Sequence, residues 1–185
     1  GLEDIAARRV RFIGEPAQRI REDYLRILRF ARFYFHLSAN AAPDAATVQT
    51  IKQAAAQIAT LSGERRQTEF MKILSLAEVE KALDFLACVG ALETTLGDAS
   101  NSGDGAWSFA RLSAMLEHEQ VLSVPSYALL RLAALMPDMQ TAEVVAASLR
   151  LSRRRTQRMG AILDHPGADL VQRPQHYLHY NGAPY

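Results

Sequence analysis

Apolar residues near the start of the chain recur at steps of three and four, and this spacing limits the folds that the chain can adopt. The clearest stripe consists of Ile20, Tyr24, Ile27, Ala31 and Phe35. Such spacing is typical of one face of an α-helix, whereas a half-buried strand would alternate apolar and polar residues. Pro16 suits the first turn of such a helix because its fixed φ is helical. We therefore predict one long helix from about Pro16 to His36.

Similar patterns predict helices along most of the chain, and no convincing pair of strands occurs. After a short extended entry at 9–14, the further helices are expected at about residues 44–61, 64–74, 75–90, 107–119, 125–135, 142–150 and 152–163. Ser75-Leu76-Ala77-Glu78 is typical of a capping box, and Ser152 can cap the last helix. The predicted fold class is all-α, and the Pro-containing tail from His165 is expected to be loose.

A run of small polar residues, Gly97–Gly105, is the best linker in the chain. It predicts a first helical domain over residues 1–90, a flexible linker or loop over 91–105, and a second helical domain over 106–185.

Composition narrows the class of protein. Hydrophobic residues make up 49% of the 185, enough for a buried core. The single cysteine, Cys88, excludes an internal disulfide and lies in an apolar helical stretch, so we expect it in the core. No apolar run approaches the roughly 20 residues of a membrane helix, and the N-terminus has no signal-peptide pattern. We expect a cytoplasmic protein without membrane contact.

Charge is unevenly distributed along the chain. The net charge is +4 over residues 1–73, −7 over 74–149 and +4 over 150–185, and 18 of the 21 basic residues are arginine. Arginine forms bidentate and stacking contacts with phosphates and bases, which favours a nucleic-acid partner. A coding bias toward arginine would give the same composition, so the charge alone leaves both open.

The stretch 19–29 carries the most informative polar residues. On the predicted helix, Glu22, Arg26, Arg29 and Phe33 fall within one narrow stripe opposite the core face, and Asp23 borders it. Aspartate only accepts hydrogen bonds and arginine only donates them. Cytosine and adenine present an amino donor beside a ring-nitrogen acceptor, so an Asp–Arg pair fits them and not uracil or guanine. Spacing alone favours the ordinary alternative, a solvated face with ion pairs.

Two longer motifs support the first interpretation. Residues 10–30 (VRFIGEPAQRIREDYLRILRF) resemble the pattern R-F-I-G-x-P-x-x-R-I-x-E-D-x-L-R-x-L-R in the neck of bacterial class II tRNA nucleotidyltransferases (CCA-adding enzymes) and poly(A) polymerases. Residues 61–74 (LSGERRQTEFMKIL) resemble that family's S-x-E-R-x-x-x-E-x-x-K-I-L segment. Arg66 departs from it, since an aliphatic residue is usual there. Beyond about residue 90 the resemblance fades.

The resemblance implies a multi-helix neck (1–90) and body (106–185), with roles for individual residues. Asp23 and Arg26 would pair with the base of incoming CTP or ATP, and Glu22 would orient Arg26. Arg29 would position the motif or approach phosphate. Glu64 and Arg65 would support the helix structurally.

The resemblance also implies that the catalytic chemistry belongs to another domain. Members of the family transfer nucleotidyl groups with two carboxylates that bind Mg²⁺ in a head domain preceding the neck. No D-x-D pair occurs in this sequence. We expect a neck-and-body fragment that is inactive alone, with Mg²⁺ bound only in the head.

Two further clusters contain residues of the types that bind RNA or metals. Arg154, Arg155 and Arg158 share a face of the last predicted helix, and could follow an RNA backbone or form a solvated basic face. His176 and His179 have no cysteine nearby and no usefully spaced carboxylate, so we predict no metal site.

The predicted function is selection of CTP and ATP and binding of a tRNA or other RNA 3′ end. Both CCA addition and poly(A) addition fit. The alternatives are a stand-alone helical RNA-binding module and a helical scaffold that docks a protein.

Overall fold

The structure is a computed structural model that describes residues 2–37, 43–97 and 107–164. Its regular elements in these ranges are all helices, which confirms the predicted all-α class. The chain divides into two compact units, Gly1–Gly97 and Asp98–Tyr185. None of the described helices is both long and apolar enough to cross a bilayer.

The first unit contains seven α-helices and one 3-10 helix among its described residues. They are α1 (Leu2–Ala6), α2 (Pro16–Glu22), α3 (Leu25–Leu37), α4 (Ala45–Ala54), the 3-10 helix (Ala55–Thr60), α5 (Gly63–Leu74), α6 (Val79–Cys88) and α7 (Ala91–Leu96). Helix α3 packs against α5 and α6, and α7 packs against α6 and the 3-10 helix. The largest side chains buried between these elements are Phe70, Ile27, Leu28, Ile73 and Leu86.

The second unit contains four described helices, α8 (Phe109–Leu122), α9 (Ala128–Leu135), α10 (Met139–Ser148) and α11 (Arg153–Leu163). Helix α9 is buried along almost its whole length and packs against α8 and α11. The Arg131 guanidinium on α9 donates to both carboxylate oxygens of Glu119 on α8, at 2.5 to 3.3 Å. Both side chains are buried, so the charges neutralise each other inside the unit.

The long helix predicted over 16–36 is wrong in one respect, because it divides at Asp23. Pro16 does stand in the first turn of α2. Asp23 has extended backbone angles, φ −158° and ψ 106°, and its Oδ1 accepts the N–H of Leu25 at 3.1 Å. A short polar side chain that binds a nearby backbone N–H ends one helix and starts the next.

The predicted core stripe is partly confirmed. Ile20, Ile27 and Ala31 are fully buried, whereas Tyr24 and Phe35 are only partly buried. Phe30 and Tyr34, which the stripe omits, are buried instead, and the Phe30 ring stacks on Phe12 at 5.1 Å between centroids.

Several boundaries differ from those predicted; for example, the helix expected over 44–61 divides into α4 and the 3-10 helix, and α10 covers Met139–Ser148 where 142–150 was expected. Ser75 does not cap α6; its hydroxyl donates to the carbonyl of Met71 at the end of α5. Residues 91–96, expected to begin a linker, form α7, whose Ala91, Leu92, Thr95 and Leu96 are buried. These side chains belong to the core of the first unit. Residues 98–106, which hold the rest of the predicted linker, lie outside the described residues, as does the tail from His165.

The prediction that Cys88 is a core residue is wrong. The thiol is at the last position of α6 and is exposed, while the neighbouring Leu86 and Val89 are buried. A helix that packs on one side only leaves its remaining positions open, even where the sequence is apolar.

Arg66 joins α5 to the end of α7. Its Nη1 donates to the carbonyls of Thr94, at 3.2 Å, and Thr95, at 2.7 Å. These carbonyls belong to the last turn of α7, which has no intrahelical donors for them, and a cation there also interacts well with the helix dipole. Burial lowers the pKa of the Arg66 guanidinium. The arginine at this unusual position therefore has a structural explanation.

Asp44 provides a test of the local structure of α4. Its carboxylate accepts the N–H of Thr47 at 2.9 Å, and this bond holds the pKa of Asp44 below its ordinary value of 3.8. A carboxyl group whose pKa is lower in the folded than in the unfolded protein stabilises the fold at a pH above its unfolded-state pKa. This stabilisation is lost as the pH falls through the folded-state pKa. We predict that Asp44→Ala lowers the free energy of unfolding by about 1 kcal/mol near neutral pH.

The difference between wild type and Asp44→Ala should narrow once the pH falls below about 3.8, measured by urea unfolding at several pH values. Asp44→Asn is the matched control, because asparagine caps a helix without titrating. An alanine variant as stable as wild type at pH 7 would contradict the assignment.

Arg66→Ala should lower the free energy of unfolding by about 1–3 kcal/mol, because two helix-end carbonyls lose their donor. Urea unfolding measures this. The neighbouring Arg65→Ala, which removes only a half-exposed ion pair, should cost less than about 1 kcal/mol. Equal effects of the two variants would contradict a special role for Arg66.

Candidate functional site

The candidate site is built on the single turn that joins α2 to α3. The N–H of Arg26 donates to the carbonyl of Asp23 at 3.0 Å, so both residues belong to one turn. The sequence predicted these two side chains beside each other on a continuous helix. The structure instead places Asp23 before the first turn of α3 and Arg26 within it.

Glu22 holds one side of the Arg26 guanidinium. Arg26 Nη1 donates to Glu22 Oε2 at 2.6 Å and to the carbonyl of Arg19 at 2.6 Å. Arg19 Nη1 donates to the same oxygen of Glu22 at 2.7 Å. The hydrogen bond from Arg26 lowers the pKa of Glu22 below its ordinary value of 4.5. The contact that the i,i+4 spacing suggested is thus present, although Glu22 belongs to α2 and Arg26 to α3.

The remaining donors of Arg26 are available for another molecule. The two contacts use the hydrogens of Nη1, and within the described part of the chain Nε and Nη2 have no hydrogen-bond partner. The side chain of Arg26 is 28% exposed. One guanidinium edge is therefore held in place while the other can donate to a ligand.

Arg65 supports the carboxylate of Asp23. Its Nη2 lies 3.0 Å from both Oδ1 and Oδ2. Arg65 is in the first turn of α5, where the hydroxyl of Ser62 caps the helix. Glu64 lies beside it in the same turn and is exposed. Arg65 therefore contacts the carboxylate of Asp23, and its supporting role stays a prediction. The roles of these residues in nucleotide binding remain predictions.

A largely buried ion pair between α3 and α5 was not predicted from the sequence. Arg32 Nε donates to Glu69 Oε1, and Lys72 Nζ lies 3.5 Å from Glu69 Oε2. The Glu69 side chain is only 3% exposed. The spacing of Glu69 could have indicated the contact, since it shares a helix face with Phe70 and Ile73. An acid on a buried face indicates a buried basic partner.

Arg29 and the basic cluster of the second unit are less uniform than predicted. Arg29 is exposed on α3, one turn beyond Arg26. Arg154 and Arg155 are exposed on α11. Arg158 is half-buried, because its Nη1 donates to the hydroxyl of Tyr127 at 3.2 Å and its guanidinium lies 5.9 Å from the centre of that ring. His176 and His179 lie outside the described residues.

Comparison with known proteins agrees with the motifs. Residues 42–99 match a family model described as the probable RNA and SrmB-binding site of polymerase A. The human mitochondrial CCA tRNA nucleotidyltransferase 1 is 45% identical over 75 residues, which cover 40% of this chain and 17% of that protein. The CCA-adding enzyme of Geobacillus stearothermophilus is 41% identical over 90 residues, which cover 49% of this chain and 22% of that protein.

One solved structure shares the fold of the chain over most of its length. A tRNA-processing enzyme in its apo form superposes with a TM-score of 0.69 over 98% of this chain and 56% of that chain, at 17% sequence identity. The chain spans about a fifth of the length of the curated relatives it matches. Over this matched region, the chain is similar to CCA-adding tRNA nucleotidyltransferases and to the RNA-binding region of polymerase A.

Proposed function

We propose that this chain is the part of a nucleotidyltransferase that selects the incoming nucleotide and holds the RNA 3′ end. The observation that supports the proposal best is the turn at Asp23–Arg26, in which a carboxylate and a guanidinium are each held by further side chains. The substrates proposed for the whole protein are CTP and ATP, together with a tRNA or other RNA 3′ end.

Hydrogen bonding explains how such a turn could choose between bases. Cytosine and adenine offer an amino group that donates to Asp23 and a ring nitrogen that accepts from Arg26. Uracil and guanine present the opposite order, so a carbonyl would face the carboxylate and a ring N–H would face the guanidinium. Each mismatch leaves polar groups unpaired, at a cost of about 1–3 kcal/mol per group.

The observed contacts leave room for this pairing. Asp23 Oδ1 already accepts from Leu25 and Arg65, whereas Oδ2 accepts only from Arg65 among the described residues. A carboxylate oxygen has about two acceptor positions, so Oδ2 can also accept from an amino group of a base. Arg65 can therefore keep its contact while a nucleotide binds. The supporting side chains fix both groups in advance, which reduces the entropy lost on binding.

The chemical step is proposed to depend on the rest of the protein. The whole protein would transfer a nucleotidyl group from the nucleoside triphosphate to the RNA 3′-hydroxyl and release pyrophosphate. Mg²⁺ bound in a head domain would stabilise the charge on the phosphates. The described part of this chain would orient the base.

We predict that Asp23→Asn in the full-length enzyme reduces the preference for CTP and ATP over UTP and GTP by roughly 5- to 150-fold. Asparagine can still accept the N–H of Leu25, so α3 keeps its start, but its amide replaces one acceptor with a donor. The measurement is kcat/KM for each nucleotide, with the KM for RNA expected to change little.

Asp84→Asn is the matched control, because Asp84 is an exposed acid on α6. It should leave nucleotide preference unchanged. Unaltered preference in Asp23→Asn would mean that the turn does not read the base.

RNA binding through the basic face of α11 forms the second part of the proposal. In the full-length enzyme, Arg154→Gln and Arg155→Gln should each reduce the slope of log affinity against log salt by about 0.7–0.9 for every phosphate that the arginine neutralises. Arg158→Gln should act similarly if its Tyr127-bound guanidinium also reaches phosphate. Filter binding of tRNA at several salt concentrations measures these slopes.

Arg153→Gln is the control on the same helix, since Arg153 does not belong to the predicted basic face. Wild-type slopes in all four variants would mean that this cluster is a solvated surface without RNA contact.

A further inference from the structure

Phe33 is an exposed aromatic side chain on the same face of α3 as the arginines of the candidate site. At 100° per residue, positions 26, 29 and 33 fall within a sector of about 60°. Phe33 is 43% exposed, whereas Phe30 and Tyr34 on either side of it in the sequence are each 6% exposed. A phenylalanine left open between buried aromatic neighbours faces away from the core.

The guanidinium of Arg32 holds one face of the Phe33 ring. Its central carbon lies 4.1 Å from the ring centroid, the distance of a cation–π contact. Arg32 in turn donates to the buried carboxylate of Glu69 on α5. The exposed ring is therefore attached through two side chains to the packed contact between α3 and α5.

We propose that the pair formed by Phe33 and Arg32 is a stacking site for a base of the bound RNA strand. Base–aromatic stacking accepts every base, and an arginine beneath the ring adds to it. A ring that is already fixed loses little entropy when a base covers it. This inference rests on the proposed function, and it assigns an RNA contact to the helix that the function uses for the nucleotide.

Distance favours the RNA strand over the incoming nucleotide. Phe33 lies seven residues after Arg26, or about 10 Å along the helix axis at 1.5 Å per residue. Stacked bases follow one another at about 3.4 Å. A base held by Asp23 and Arg26 is thus about three stacking steps from Phe33, so the two sites take different nucleotides.

Charge favours RNA over a protein partner on this surface. Arg29 lies exposed one turn before Phe33, and Arg32 lies beneath its ring. The phosphates of a strand whose base covers Phe33 would meet positive charge on this helix. An apolar protein partner would have to cover the same arginines without neutralising them, which is unfavourable.

The test compares Phe33→Leu with wild type in the full-length enzyme, using RNA substrates that carry one abasic nucleotide at each of the last four positions. Leucine keeps the apolar bulk and removes the aromatic ring. We expect Phe33→Leu to weaken binding of intact RNA by about ten-fold, with an unchanged salt slope because the charged groups that meet phosphate stay in place. For RNA that is abasic at the stacked position, wild type and variant should bind equally.

Phe33→Trp supplies a second, direct measurement. With Trp107 and any tryptophan elsewhere in the full-length enzyme replaced by phenylalanine, the fluorescence of the new residue reports on this site. It should be quenched by the intact RNA and not by the RNA that is abasic at the stacked position, and it should retain near wild-type affinity. Thermal unfolding of each variant checks its folding.

Three results would overturn the inference. In the first, wild type and Phe33→Leu differ in RNA affinity at every abasic position. In the second, Phe33→Leu weakens binding of the nucleotide and leaves RNA affinity unchanged. In the third, both Phe33 variants fail to fold. A failure of the proposed base selection can be distinguished from a failure of this inference. It would appear as an unchanged nucleotide preference in Asp23→Asn, independently of the results for the Phe33 variants.

Discussion

The hydrogen bond from the N–H of Leu25 to the carboxylate of Asp23 determines how the first unit presents its polar residues. It divides what would otherwise be one helix and starts α3 with a carboxylate at its N-terminus. Arg65 on α5 then reaches that carboxylate, and Glu22 at the end of α2 reaches Arg26 in the first turn of α3. A continuous helix would have carried these groups as an ordinary solvated face. The break instead places them in one turn, where side chains from α2 and α5 contact them.

Two ion pairs join α3 to α5 at different positions along α3. The Arg65–Asp23 pair lies near the start of α3, and the Arg32–Glu69 pair lies two turns further along. The first pair is largely accessible and the second is largely buried, so their energetic roles differ. Exposed pairs contribute little stability, whereas a buried acid must keep its partner. Packing of the two helices thus depends on the inner pair, whereas the outer pair holds the carboxylate of Asp23 in position.

Local sequence patterns predicted the helices and part of the site. They could not predict which side chains from distant parts of the sequence contact each other. The predicted bounds of α5 and α11 are correct almost to the residue. Each of these helices starts at a serine cap, Ser62 or Ser152, which marks its first turn clearly. The prediction failed at Asp23, where a side chain competes with the backbone, and at Ser75, which closes one helix instead of opening the next. Glu22 with Arg26 follows from spacing alone. The contact of Arg66 with the end of α7 joins residues that are separated by 28 and 29 positions in the sequence. No local pattern encodes a contact over such a separation.

The buried Arg66 also has a consequence for exchanging parts between relatives. Where the motif that residues 61–74 resemble has an aliphatic residue, this chain places a guanidinium beneath the last turn of α7. Moving α5 alone into a relative would bury a guanidinium that keeps its acceptors only if the end of α7 lies in the same place. The two helices must therefore be transplanted together. In a library that recombines this chain with similar sequences, functional variants would keep α5 and α7 from the same parent, although the whole of α6 lies between them in the chain.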